Sequence, residues 1–495
     1  MKLLIDGEWR ESSSGLKQDK INPSTGEKMA EFPLATKDDV GMAISAAADA
    51  FENWYYAASK ERGRILFKAS LLIEGRRKEL ENILISENGK PSLEAKEEVD
   101  GVIDQIKYYS GFERKISGDL LEGPGREEKL FLHKVPYGVV VALTPWNFPA
   151  AMVARKLTPA LLTGNTVVLK PSSDTPLSAE WIVRKFTEAG IPNGVLNLVT
   201  GKGSEIGDYI VSHKKVSLVS MTGSTETGQR IMKNASANMA KLILELGGKA
   251  PFIVWKDADI KNAIKTLLWA KFLNAGQSCI AAERLYVHSD IYSNFINKLQ
   301  HALSKMKVGD PRTSDMGPLI NKGALNNMKE IVQDSVSNGG KVIFGGEQPE
   351  LKGKFSKGFF FEPTIIENSD QKSRLFQEEI FGPVIGSTSV SDIEDAFEKA
   401  NDSKYGLASY LFTNDNRIIM DSFDKIRFGE LYVNMPGPEA SNGYHTGFRL
   451  TGQAGEGSTH GIEEYLKIKN IYVNYSRKNL EIETVREEIL KPSQG

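Results

Sequence analysis

The chain of 495 residues contains a single cysteine, Cys279, and only six histidines. One cysteine cannot close an intramolecular disulfide or by itself build a zinc site, so neither device is expected to hold the fold together, and no metal set is expected. Positive charge is not in excess: 62 Lys and Arg stand against 64 Asp and Glu. That balance lacks the electrostatic signature of a nucleic-acid binder. No run approaches the roughly 18 apolar residues of a membrane span. The opening MKLLIDGEWR is broken by Asp6, Glu8 and Arg10 before a secretory core can form. What remains is a globular chain, expected in a reducing, cytoplasmic setting, with neither nucleic acid nor membrane as partner.

The length implies two or three packed units. From Lys37 to about Arg114 helical spacing dominates, and ILFKASLLIEGRRKELENILISENGKP reads as one amphipathic helix stopping at Gly89 and Pro91. Beyond it, KLFLHKVPYGVVVALTPWNFP, NTVVLKPSS, GVLNLVTG, KVSLVSMTG and APFIVW are short β-branched runs closed by Gly, Pro or Ser, several separated by helix-like stretches. That alternation predicts a parallel α/β sheet. A second series follows Cys279, with a helix from about Ile291 to Met306 and strands in ERLYVH, KVIFGG, FFFEPTII, FGPVIGSTSV, ASYLFT and GELYVN. YLKIKNIYVNY alternates like a strand, and the residues from Ser476 onward read as a polar tail or a subunit-contacting arm.

Cys279 sits in FLNAGQSCIAAERLYVH, where an apolar core would supply Leu or Val. A lone cysteine is most often a small buried hydrophobe. Its neighbours Asn274, Gly276, Gln277 and Ser278 instead let the backbone bend and leave N–H groups available, as a nucleophile beside an oxyanion site requires. In KLILELGGKAPFIV, Glu245 lies inside an apolar run, either as a buried structural acid or as a general base tuned by burial. In TPWNFP, Asn147 is a turn-former or an oxyanion donor. VSMTGSTETGQRIM runs from a strand through a Gly-rich turn into a helix, a geometry suited to a pyrophosphate. GKGSEIG at 201–207 misses the dinucleotide fingerprint by one residue and carries little weight.

These segments, in this order, resemble the aldehyde dehydrogenase superfamily, from the IDGEW opening through EEIFGPV at 378–384 to GFRLTGQAGE. Glu245 and Cys279 stand 34 positions apart, the family's spacing for base and nucleophile. The resemblance implies Cys279 as nucleophile, Glu245 as the base that hydrolyses a thioester, and Asn147 as oxyanion donor. Lys170 would join this catalytic set and also contact the cofactor. Thr144, Pro145, Trp146, Ser173, Gly203, Gly223, Ser224, Leu246, Glu379 and Phe381 are the other candidate cofactor contacts. NAD-preferring relatives commonly read K-P-[SA]-E, whereas this chain reads KPSS. Ser173 therefore removes a carboxylate that would repel a 2′-phosphate, and NADP is the expected cofactor, with NAD possible.

The resemblance also implies a substrate tunnel: three positions that are usually aromatic in relatives oxidising simple aldehydes align with Arg155, Glu439 and His445. Buried polar groups left unpaired are costly, so this tunnel should prefer a substrate with hydroxyls. The same arrangement resembles the lactaldehyde, glycolaldehyde and glyceraldehyde dehydrogenase branch. The alternatives are a semialdehyde dehydrogenase, with Arg155 gripping a distal carboxylate, and a non-catalytic cofactor-binding protein. The implied fold is a Rossmann-like cofactor domain (1–117 and 138–247), an α/β catalytic domain (248–467), and a small β bridging element (118–137 and 468–495). Its exposed edge strand points to a homo-oligomer, dimer or tetramer.

Overall fold

Two sheets of mostly parallel strands organise the molecule, as the alternation of β-branched runs with helical stretches predicts. The computed structural model describes residues 1–368, 370–437 and 440–476. The first sheet runs in the order Glu8–Arg10, Leu3–Ile5, Leu196–Leu198, Thr166–Lys170, Val139–Leu143, Val216–Thr222, Lys241–Glu245 and Gly452–Gln453. Its five central strands are parallel. Val140, Val141, Val167 and Val168 are fully buried although neighbours alternate between faces, so helices cover both sides and the strands need no polar face. The last strand, Gly452–Gln453, lies antiparallel against Leu244 and Glu245 and returns the chain from the second half to the first sheet.

The second sheet is ordered Lys341–Phe344, Thr364–Glu367, Val384–Val390, Ala282–His288, Ala250–Val254, Ala408–Phe412 and Glu430–Val433. All its pairs are parallel except the edge pair of Lys341–Phe344 with Thr364–Glu367. Leu466–Asn474, Glu128–Pro136 and Asp119–Glu122 form a separate antiparallel sheet. It carries exposed Leu120, Phe131, Ile468 and Tyr472. Residues 477–495, which contain most of the expected tail, lie outside the described residues.

The single long helix expected up to Gly89 is two helices, Ser59–Gly75 and Arg77–Glu87. Arg76 leaves helical geometry at φ −124° and ψ 23°. Gly75 costs about 1 kcal/mol in a helix interior, and from Glu74 to Lys78 no large apolar side chain anchors the stretch to the core. The helix expected at 291–306 runs Ser289–Leu303 and begins where the His288 side chain accepts the Asp290 N–H.

This topology decides where a site can form. The parallel strands Val139–Leu143, Thr166–Lys170, Val216–Thr222 and Lys241–Glu245 end on one edge of the first sheet. Ligands of open α/β sheets bind outside the carboxyl ends of such strands. Asn147, Lys170, Gly223 and Glu245 all lie at or just beyond these ends.

Candidate active site

The loop before Cys279 turns through an uncommon backbone. Asn274, Ala275 and Gly276 take φ values of 50°, 55° and 75°. Left-handed geometry costs a non-glycine residue roughly 1 to 2 kcal/mol, so the surroundings must hold it. They do so through Glu94, whose Oε2 accepts the Asn274 N–H at 2.8 Å, and through Gln277, whose Nε2 donates to the Asn274 carbonyl at 2.8 Å. Gly276 cannot be replaced cheaply, because a Cβ there would meet the Gly382 carbonyl oxygen at 2.2 Å. A Cβ on Gly248 would fall 2.0 Å from the carbonyl oxygen of Cys279. The double glycine after Glu245 thus lets that turn press against the backbone of the cysteine.

Asn147 is fixed by its own carbonyl, which accepts Lys90 Nζ at 2.8 Å and Asn274 Nδ2 at 2.9 Å. Lys90 is also paired with Glu98, both buried, and Glu98 Oε1 accepts the N–H groups of Ala150 and Ala151 at 2.9 and 3.1 Å. A carboxylate at the start of helix Pro149–Leu162 complements the helix dipole and anchors the turn that presents Asn147. Lys90, Glu94 and Glu98 carry no local signal in the sequence, where they sit in the helical stretch as ordinary charged residues.

Asn147, Glu245 and Cys279 line one cavity of about 260 Å³, together with Arg155, His445 and Glu456. Glu245 is 3% exposed, and neither carboxylate oxygen has a hydrogen-bond partner among the described residues. Burial pushes it to about 8, while His445, Lys156 and Arg155 pull it back and Glu456 opposes them. A carboxylate of this kind is poised to take a proton near neutral pH. His445 Nε2 lies 3.6 Å from Glu245 Oε2. Glu456, by contrast, is held below the usual carboxylate range: burial works against it, but Lys156 sits 2.6 Å away. Glu439 lies outside the described residues.

The candidate cofactor contacts spread along the strand ends. The Thr144 N–H donates to the Lys170 carbonyl at 3.3 Å, and the Gly223 N–H to that of Glu245 at 3.0 Å. Trp146 and Phe381 meet edge to face, with ring centroids 5.2 Å apart. Pro145 lies between Thr144 and Trp146 in the turn after Val139–Leu143. Ser224 caps helix Thr225–Ala235 by accepting the Thr227 N–H, and Gly203 opens helix Gly203–Ser212. Leu246 is buried, its N–H donating to the Thr451 carbonyl at 2.7 Å. Glu379 Oε1 accepts the Gly248 N–H at 2.7 Å, and burial pushes this carboxyl to about 8.

These residues fit an anionic dinucleotide. Burial lowers the Lys170 ammonium to about 8, and its Nζ donates to the Pro171 carbonyl at 3.3 Å. The buried Oγ1 atoms of Thr144 and Thr222 have no partner among the described residues. Ser173 donates to the Gly201 carbonyl at 3.1 Å and presents no negative charge, while the neighbouring Asp174 is engaged by Asn321 and Lys20.

Comparison with known proteins agrees with this geometry. Residues 9–471 match the model of the aldehyde dehydrogenase family. The chain is 66% identical to D-glyceraldehyde dehydrogenase (NADP⁺) of Thermoplasma acidophilum, over 99% of each chain. It is 65% identical to the enzyme of that name from Picrophilus torridus, over 99% of this chain and 100% of the other. The solved structure of a 3,6-anhydro-L-galactose dehydrogenase, 38% identical, superposes with a TM-score of 0.93 over 96% of this chain and 99% of the other. The chain belongs to the aldehyde dehydrogenase family.

Proposed function

We propose that this enzyme oxidises a short 2-hydroxyaldehyde, with D-glyceraldehyde the first candidate, to the free carboxylic acid using NADP. The observation that carries the reading is the shared cavity of Cys279, Asn147 and Glu245, walled by Arg155 and His445. The names of the two relatives at 66% and 65% identity support the same substrate and cofactor.

In this reading the Cys279 thiolate adds to the aldehyde carbon, and the oxygen becomes an alkoxide. The Asn147 side chain and the Cys279 N–H hold that charge, each donor worth about 3 kcal/mol. Bound NADP supplies the hydride acceptor; Lys170, Thr144 and the N-terminus of helix Thr225–Ala235 would hold its polar groups, and Glu379, Trp146 and Phe381 its nicotinamide end. The thioester left on Cys279 is then hydrolysed: Glu245 takes a proton from water, the water oxygen bonds to the acyl carbon, and the C–S bond breaks. Burial of Glu245 without a hydrogen-bond partner among the described residues keeps its basicity available for that step.

Arg155 leaves a second reading, a semialdehyde whose distal carboxylate it would bind. The cavity weighs against it, since the carboxylates of Asp104 and Glu456 also line the walls and would repel an anion. Initial rates of NADPH formation from D-glyceraldehyde, succinic semialdehyde and a short aliphatic aldehyde, with Cys279→Ala as control, test the assignment. A Cys279-dependent preference for glyceraldehyde is expected; a preference for succinic semialdehyde would overturn it.

We also infer a homo-oligomer formed through the antiparallel sheet. Among the described residues Leu466–Asn474 is an edge strand with exposed Ile468 and Tyr472, and an apolar edge of this kind invites pairing with a second copy. Ile468→Lys should lower the mass measured by light scattering. The lone thiol suits a cytoplasmic setting, and among the described residues no helix is long and apolar enough to cross a membrane.

A further inference from the structure

His445 belongs to two cavities. A second one, also about 260 Å³, is lined by Glu430 and Tyr444 and shares Arg155, His445 and Glu456 with the cavity of Cys279. His445 Nδ1 lies 2.9 Å from Glu430 Oε1, while Nε2 faces Glu245 Oε2 at 3.6 Å. Glu430 is itself held, its Oε2 accepting the Tyr432 hydroxyl at 2.7 Å.

We propose that Glu430 is a positioning residue that fixes the ring of His445 to receive the proton Glu245 removes from water, and that the second cavity is where this proton leaves. The inference rests on the reading of Glu245 as the hydrolytic base. Thioester hydrolysis gives a carboxylic acid, a Cys279 thiolate and a protonated Glu245, which must lose its proton before the next turnover. Glu245 Oε2–H passes it to His445 Nε2, and the Nδ1 proton moves to Glu430 or to water in the second cavity. No other reactant is consumed. The adjacent Lys156 is committed elsewhere, its Nζ lying 2.6 Å from Glu456 and 3.1 Å from Ser220.

The surrounding charges set the direction of the pH effect. Arg155 and Lys156, from helix Pro149–Leu162, favour ionised Glu245, and Glu456 disfavours it. Tyr444 stands beside both carboxylates and is pushed up to about 12, chiefly by burial, so it stays neutral. The Glu430 carboxylate favours a protonated His445, and a protonated His445 favours ionised Glu245. Removing the Glu430 charge therefore moves the ionisation of Glu245 to higher pH.

The test is Glu430→Gln in the full chain, with D-glyceraldehyde and NADP from pH 6 to 9.5. Rapid mixing reads the first NADPH formed, steady-state rates read turnover, and intact mass of acid-quenched enzyme reads the acyl adduct on Cys279. First-turnover NADPH formation, and its dependence on glyceraldehyde concentration, should stay near wild type. Turnover should fall roughly tenfold, the adduct should accumulate, and the acid limb should move up by about half a pH unit or more. Imidazole added to His445→Ala should restore part of the lost turnover. An unmoved acid limb, or a changed KM alone, overturns the proposal and leaves Glu430 as a wall of the substrate cavity. Should Glu430→Gln fail to fold, Tyr432→Phe should give a smaller shift of the same sign, and no shift would overturn it. Failure of the underlying reading looks different: Glu245→Gln would then keep its turnover and form no lasting adduct.

Discussion

Glu245 and Glu283 are both almost wholly buried, and the fold treats them in opposite ways. Glu283 accepts Lys249 Nζ at 2.9 Å and the N–H groups of Ile380 and Phe381 at 2.8 and 2.9 Å, with Lys271 at 3.6 Å. Burial alone would raise its carboxyl, but Lys249 and Lys271 bring it below the usual range. Glu245 has no hydrogen-bond partner among the described residues, and burial carries it up to about 8. A satisfied carboxylate builds structure; here it ties the strand of Ala282–His288 to the turn that presents Phe381. An unsatisfied one stores basicity at a cost in stability.

Substitution at each should separate those roles. Glu245→Gln should lower turnover by roughly 10²- to 10⁴-fold while first-turnover NADPH formation survives, read by rapid mixing. Glu283→Gln strands two buried lysines and should destabilise the protein by about 3 to 5 kcal/mol, read by denaturant unfolding. Little change in stability for Glu283→Gln, or equal loss of first-turnover and steady-state rates for Glu245→Gln, would erase the contrast.

The same comparison carries a sign in pH. Because the Glu245 carboxyl is raised in the folded protein from 4.5 to about 8, its folded form is favoured below 4.5. That advantage is lost as pH rises through about 8, at up to about 1.4 kcal/mol per pH unit. Glu245→Gln should therefore raise Tm relative to wild type at pH 8 and lose that advantage near pH 4.5. Equal Tm differences at both pH values would show that Glu245 is not strained by its burial.

Much of this was legible in the sequence, and what escaped has a common cause. The β-branched runs gave most of the strands, because local composition encodes them, and ELGGK with GQSC singled out Glu245 and Cys279, which the fold brings to one cavity. The groups that hold them were hidden, since their partners are remote in sequence. Glu94 meets Asn274 across 180 positions, and Lys156 meets Glu456 across 300. A charged residue in a helical stretch looks the same whether it faces water or caps a buried turn. The return of Gly452–Gln453 to the first sheet was equally invisible, because a two-residue strand has no periodicity. Glu430 reads in the sequence as the polar start of an ordinary strand, GELYVN, because its partner His445 lies 15 positions away.

Cofactor choice extends the contrast to a buried cation. Ser173→Glu should lower kcat/KM for NADP roughly tenfold or more and raise it for NAD, since a carboxylate would face the 2′-phosphate. A smaller and subtler effect belongs to Lys170. Burial lowers this ammonium to about 8 in the free protein. A phosphate brought near it favours the protonated form, so binding NADP takes up a proton wherever Lys170 would otherwise be neutral. Affinity for NADP should accordingly be constant below pH 8 and fall above it, by at most about tenfold per pH unit. NAD, without the 2′-phosphate, should show a shallower dependence. Fluorescence titration of both cofactors between pH 7 and 9.5 reads the difference, and parallel curves would mean that Lys170 contacts a part of the dinucleotide common to both.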